Sequence, residues 1–260
     1  MEVILRFRPC IDIHNGKVKQ IVGSTLRDAG DYAKENFVSE NDAAYFAKLY
    51  KKHGLYGGHV IMLNPAGSEY YEATKAQAIS ALKAYPQGLM AGGGINADNA
   101  QYFIDAGASH VVVTSYVFKD GRIDEDNLAK LVEAVGDARL VLDLSCKVID
   151  GKYRVVTDRW QKVTDVIVDE KLFEKLGRSC DEFLVHAVDT EGKSAGIDDR
   201  LINILALSVK PVCYAGGISS IEDIIKLKEA GRGRVDFTVG SALDIFGGKL
   251  RLEDVIECTR

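Results

Sequence analysis

No Cys-x-x-Cys pair occurs in these 260 residues. The five cysteines (Cys10, Cys146, Cys180, Cys213, Cys258) stand alone and are odd in number, as expected of reduced thiols in the cytoplasm rather than of a disulfide framework or a zinc site. Histidines are as sparse. Only His53 and His59 fall within six residues of each other, a spacing that suits neither one helix face nor a usual ligand pair, so no metal centre is expected. No apolar run approaches the roughly 20 residues needed to cross a bilayer, and the N-terminus shows no basic-then-apolar leader. An excess of one charge is missing too. With 33 Lys and Arg against 38 Asp and Glu, the net charge of −5 gives no bulk attraction to nucleic acid or to an anionic membrane. Nor does a linker rich in Pro, Gly or Ser mark the midpoint, so residues 1–260 are expected to form one domain.

What is present has an ordinary globular composition, 47% hydrophobic and 27% charged. The most informative stretch is residues 8–20. An apolar run (Val3, Ile4, Leu5, Phe7, Cys10, Ile11) ends on Asp12, Asn15-Gly16 supplies a tight-turn dipeptide, and Val18, Gln20 and Val22 then alternate. That order places Asp12 at the rim of a sheet. The arrangement returns 131 positions later: residues 140–144 form a short apolar strand carrying Asp143, and Asp150-Gly151 opens a turn before residues 152–156. Asp12 and Asp143 are therefore expected to face each other across one site.

The rest of the chain alternates between short apolar runs and helical stripes. Residues 22–39 read as a long polar loop, and Asn41 is the expected cap of a helix whose apolar stripe spans 43–50. Strands at 59–63, 89–91 and 111–113 and helices at 71–85, 97–106 and 128–135 complete four units. The second half repeats the pattern, with strands at 140–144, 183–186, 212–215 and 235–239. Its helices lie near 170–176, 200–207, 220–230 and from Leu252. Eight strand-helix units in this length predict an α/β fold of the closed (β/α)8, or TIM, type.

Local matches between the halves are more specific than the count. Gly93-Gly94-Ile95 returns as Gly216-Gly217-Ile218 after 123 positions, and Ala106-Gly107 as Ala230-Gly231 after 124. Thr114-Ser115 is matched by Gly240-Ser241 after 126. Offsets this steady indicate two duplicated half-barrels. Gly93 and Gly94 end the third strand, Thr114 and Ser115 the fourth, Gly216 and Gly217 the seventh, and Gly240 and Ser241 the eighth. Glycines let backbone N–H groups approach an anion, and hydroxyls add donors, so these residues predict two phosphate cradles on opposite sides of the barrel mouth. A ligand with a phosphate at each end would put its middle beside Asp12 and Asp143, which could then divide general acid and general base work. The plainer alternatives are simple glycine turns, and aspartates paired with Lys17, Lys19, Lys147 or Lys152.

Residues 145–169 are long for a strand-helix connection and hold the only tryptophan, Trp160, with Arg154 and Arg159 near it. Such a segment is expected to close over substrate, with Trp160 either covering a planar ring or anchoring the loop.

Four runs carry a family resemblance: residues 10–22 (Cys10-Ile11-Asp12-Ile13-His14-Asn15-Gly16-Lys17), 141–146 (Val141-Leu142-Asp143), Tyr214-Ala215-Gly216-Gly217, and 240–248 (Gly240-Ser241-Ala242). The chain resembles, over essentially its whole length, the histidine-biosynthesis isomerases that convert the formimino-aminoimidazole-carboxamide ribonucleotide ProFAR from aminoaldose to aminoketose, and it is most similar to their eukaryotic branch. The resemblance implies a barrel of duplicated halves and a bisphosphorylated ribonucleotide substrate. It implies Asp143 as the acid that opens the ribose, Asp12 as the base at C2′, and no metal, organic cofactor or obligate protein partner. Bacterial members often carry Thr just after the sixth strand where this chain has Ala187, so His186 or Asp189 is expected to orient Asp143. Three alternatives stay open: the related cyclase that takes ammonia from a glutaminase, an isomerase that also accepts phosphoribosylanthranilate, and a phosphosugar-binding barrel without activity.

Overall fold

The computed structural model of the chain describes residues 5–21, 25–26, 33–190 and 196–259. The expectations for Val3, Ile4, Val22 and half of the 22–39 loop lie outside them. β1 (Cys10–His14) and β2 (Lys17–Ile21) form a hairpin through Asn15 and Gly16. Both turn residues are left-handed (φ 52° and 71°), as a two-residue turn matching the twist of its strands requires. β2 pairs on its other edge with β3 (Glu35–Val38), so the end of the expected loop is a strand. What orders β3 comes from elsewhere in the chain: Glu35 pairs with Lys19, and Phe37 meets Phe246 edge-on at 5.9 Å.

Continuing along the chain come α1 (Ala43–Lys52), β4 (Gly58–Met62), α2 (Tyr71–Ala84), β5 (Leu89–Gly92), α3 (Ala100–Asp105) and β6 (Val111–Val113). A two-residue ribbon, β7 (Phe118–Lys119) with β8 (Arg122–Ile123), then leads to α4 (Glu125–Val135). The second half contains β9 (Leu140–Asp143), then β10 (Cys146–Ile149), β11 (Lys152–Thr157) and β12 (Lys162–Ile167), then α5 (Glu170–Leu176) and β13 (Glu182–His186). It ends with α6 (Asp199–Leu205), β14 (Val212–Ala215), α7 (Ile221–Ala230), β15 (Val235–Thr238) and α8 (Leu252–Cys258).

β1, β4, β5, β6, β9, β13, β14 and β15 are parallel neighbours in that order. The Arg8 N–H donates to the Phe237 carbonyl (2.8 Å) and the Phe237 N–H to the Arg6 carbonyl (3.1 Å), which joins the last strand to the first. The fold is a (β/α)8 barrel. Alternate side chains on these strands point to opposite faces. Met90, Val112, Val141, Leu184, Cys213 and Ala215 form a small cluster inside the ring, whereas Ile11, Val60, Leu142, Phe183, Tyr214 and Phe237 join the large core under the helices. The inward parity also carries Asp12, Asp143 and His186 to the mouth.

Some boundaries differ from expectation, for local reasons. Asp42, not Asn41, caps α1: its carboxylate accepts the Tyr45 N–H at 2.8 Å, while the Asn41 N–H is spent on Ser39 Oγ. The helix expected from Ala97 starts at Ala100, because Asn96 and Asn99 bond each other's backbone in a turn. α4 starts three residues earlier than the apolar stripe suggested, capped by Asp124 on the Asn127 N–H. The connection expected as a loop at 145–169 is an antiparallel sheet, β10-β11-β12, turned at Asp150 and Gly151 (φ 50° and 72°) like the β1–β2 hairpin.

Candidate active site

Asp12 lies at the middle of β1 and Asp143 at the last position of β9. Both line a cavity of about 450 Å3 in the barrel mouth. Asp12 receives the side-chain amide of Gln20 at 3.4 Å. Gln20 can reach it because the Asn15-Gly16 turn folds β2 straight back along β1. Asp143 has more donors. Thr114 Oγ1 gives a hydrogen bond to one carboxylate oxygen (3.1 Å), Ser145 Oγ lies 2.9 and 3.1 Å from the two oxygens, and His186 Nδ1 is 3.2 Å from Oδ1. Burial alone would raise this carboxyl, but the His186 ring and the hydrogen bonds from His186, Ser145 and Thr114 hold it below the usual range. Of the lysines weighed as partners, Lys147 donates to the Trp160 carbonyl (2.9 Å) and Lys19 pairs with Glu35.

The first glycine turn, with Gly93 and Gly94 at φ 93° and 70°, lines the large cavity together with Thr114 and Ser115. The second, with Gly216 and Gly217 at φ 140° and 71°, lines an adjoining pocket of about 40 Å3 with Gly240 and Ser241. Asp12, Gln20 and His186 border both spaces, so the two turns flank one mouth. A side chain at Gly93 would run into the Met62 carbonyl oxygen, and one at Gly217 into that of Gly196. In the second pocket, Thr238 Oγ1 is buried with no hydrogen-bond partner among the described residues.

The β11–β12 hairpin leans over this mouth. Asp158, Arg159 and Trp160 are all left-handed (φ 50°, 54° and 66°), a tight reversal that brings the indole to 6.0 Å from the His186 ring. The Asp158 N–H donates to Ser115 Oγ (2.9 Å), which ties a second-half hairpin to the end of β6 in the first half. Of the two residues expected to compensate for Ala187, His186 contacts Asp143, while Asp189 accepts the Val148 N–H (3.0 Å) at the base of β10. Gln20, His59 and Thr238 were not singled out from the sequence. His59 packs edge-on against His186 (6.1 Å), and burial, with His186 pushing the same way, lowers its imidazole to about 3. The alternation of β2 was the one signal that could have drawn Gln20 in. Among the described residues no group of three or more His, Cys, Asp or Glu side chains could hold a metal ion, and no helix is long and apolar enough to cross a membrane.

Residues 6–251 match the model of a family described as histidine biosynthesis protein. The chain belongs to this family. Three relatives, from a plant and two fungi, are each named 1-(5-phosphoribosyl)-5-((5-phosphoribosylamino)methylideneamino)imidazole-4-carboxamide isomerase. The Medicago truncatula protein, named as chloroplastic, is 55% identical over 257 residues, covering 97% of this chain and 81% of its own. The Yarrowia lipolytica protein is 46% identical with 97% of each chain covered, and the Saccharomyces cerevisiae protein 43% identical with 96% of each covered.

Proposed function

We propose that this chain is an isomerase of histidine biosynthesis that converts ProFAR to its ribulosyl form, an aldose-to-ketose Amadori rearrangement. The observation that carries this is the placement of Asp12 and Asp143 on matching strands of two half-barrels, between two glycine turns. The identity to the fungal and plant isomerases over nearly the whole chain supports it. One domain, residues 1–260, holds the whole site. The partner is a small bisphosphorylated ribonucleotide, with no nucleic acid, membrane or obligate protein involved. Gly93, Gly94, Thr114 and Ser115 hold one phosphate, and Gly216, Gly217, Gly240 and Ser241 the other, through backbone N–H groups and hydroxyls. None of the five cysteines is in a disulfide, which suits a reducing compartment, and the cytoplasm is proposed.

In the reaction, Asp143 gives a proton to the ribose ring oxygen as the C1′–O4′ bond breaks. The electron pair goes to that oxygen, and the lone pair of the substrate nitrogen forms a C1′=N iminium. Asp12 then takes the C2′ proton, and the electrons of that bond form an enolamine. Returning a proton to C1′ while the 2′-hydroxyl loses one gives the ketose and restores both acids, so protons balance. The substrate's own nitrogen is the electron sink, which removes the need for a metal or organic cofactor. Trp160, with Arg159 beside it, covers the imidazole in the closed state.

The test is turnover of ProFAR by the purified chain, with Asp12→Asn and Asp143→Asn alongside. Each substitution is expected to lower kcat by roughly 10²–10⁴-fold while ligand still binds. Turnover that survives both changes would overturn the assignment. Turnover that needs ammonia would transfer the chain to the cyclase reaction.

A further inference from the structure

A residue that delivers a proton must first hold one, and Asp143 is surrounded by groups that favour its charged form. The Thr114 and Ser145 hydroxyls aim at both carboxylate oxygens. His186 is different. Its Nδ1 stands 3.2 Å from Oδ1, and an imidazole, unlike the two hydroxyls, can take up and release a proton. We propose that Asp143 and His186 share one proton, and that His186 keeps it in the site at neutral pH for delivery through Asp143. The inference rests on Asp143 being the acid of the isomerisation above. His186 is thus a positioning and proton-holding residue, while Asp143 meets the substrate.

The geometry suits this division. When the proton is on Oδ1, Nδ1 accepts it in a hydrogen bond; when it is on Nδ1, the pair is a carboxylate beside an imidazolium. Both arrangements have the same net charge, so the proton can pass between them without moving charge in or out of a largely buried site. The His186 side chain and the Asp143 side chain are each only 14% exposed. The ring is fixed from two sides, by the Trp160 indole at 6.0 Å and 47° and by the His59 imidazole at 6.1 Å and 75°. The titratable and charged groups facing it are Asp143 from β9, His59 from β4, Asp12 from β1 across the mouth and Arg159 from the hairpin. Asp189 follows on its own connection, and the Cys146 thiol, pushed up by burial and by Asp198, Asp143 and Asp189, lies beside Ala187 on β10. His59, lowered to about 3 by burial, stays neutral and does not compete for the proton. Arg8 lies deeper in the barrel, engaged with Glu182 and Asp236.

Two measurements test this. The first is the pH profile of kcat/KM for ProFAR in the wild type and in His186→Gln, whose amide can occupy the space but cannot carry the proton. The expected result is an alkaline limb displaced downward by about two pH units. The loss would be on the order of 10²-fold at pH 7, shrinking toward pH 5. A loss of equal size at every pH, with the limb in place, would mean a structural role and overturn the proposal. The second needs no turnover. The His186 ring is titrated by NMR in the resting wild-type protein and in Asp143→Asn, where the midpoint is expected to fall. An unchanged midpoint overturns the shared proton even if the isomerase assignment stands. Absence of turnover in the wild type would count against the assignment itself.

Discussion

Asp12 accepts the Gln20 amide at 3.4 Å, whereas Asp143, 131 positions further on, accepts from the Thr114 and Ser145 hydroxyls and stands beside the His186 imidazole. The two halves offer the same backbone position and different company. A duplicated fold gives two equivalent acids, and equivalent acids would titrate alike. Acid-base work needs them to differ, so the difference has to come from side chains brought by neighbouring strands. In the first half that neighbour is β2, folded back by its hairpin. In the second the neighbours are Thr114 just after β6, Ser145 two positions past β9, and His186 on β13.

The barrel floor shows the same divergence. Arg8 is buried and bonds Glu182 Oε2 and Asp236 Oδ2, both at 2.7 Å. Its counterpart 131 positions on, Arg139, is half-buried and, among the described residues, donates to Gln87 Oε1 at 3.4 Å. The reason lies in the partners. Glu182 pairs with Val141 across the sheet as His59 pairs with Cys10, and Asp236 follows His110 by 126 positions, so the first half has histidines where the second has acids. Burial drives the Glu182 carboxyl upward, to about 7, against the pull of Arg8. Removing the arginine would leave two carboxylates in the interior.

Breaking that cluster is the largest expected effect on folding. Arg8→Ala should cost about 3–5 kcal/mol in urea or thermal unfolding, and Arg139→Ala less than about 0.5 kcal/mol. Equal costs would erase the contrast between the halves. The glycine turns come next. Gly217 and Gly94 are matched in sequence and nearly equal in φ, yet a Cβ at Gly217 would strike the Gly196 carbonyl and one at Gly94 would meet nothing within 4 Å. Gly217→Ala should therefore cost about 3 kcal/mol, and Gly94→Ala only the left-handed penalty of about 1 kcal/mol, measured the same way. The smallest effect concerns the β11–β12 hairpin at the mouth. If the ring covers the ligand as proposed, Trp160→Phe should raise KM roughly threefold to tenfold with little change in kcat. No change in either constant would leave Trp160 as a local anchor.

Much of this was legible in the sequence, and the exceptions have a common cause. The eight units were visible because each strand or helix reports its own period, and the repeat because glycines and aspartates recur at steady offsets. The β1–β2 turn was visible because Asn-Gly is what two left-handed residues require. Contacts between distant residues leave no such trace. Arg8 lies 228 and 174 positions from Asp236 and Glu182, and Gln20 was visible only as one polar residue in an alternating strand. β12 was missed because Lys162–Ile167 is mostly exposed and carries charge, so its pairing to β11 shows no apolar alternation. At the site, the aspartates were found by position, while the groups that make them unequal come mainly from other strands.

The most direct measurement of the central claim is a crystal structure of the chain with its bisphosphorylated ribulosyl product bound. One phosphate should sit at Gly94 and Ser115, the other at Gly217 and Ser241, with the opened sugar between Asp12 and Asp143. Either phosphate bound away from these turns, or a sugar carbon chain out of reach of one aspartate, would contradict the account.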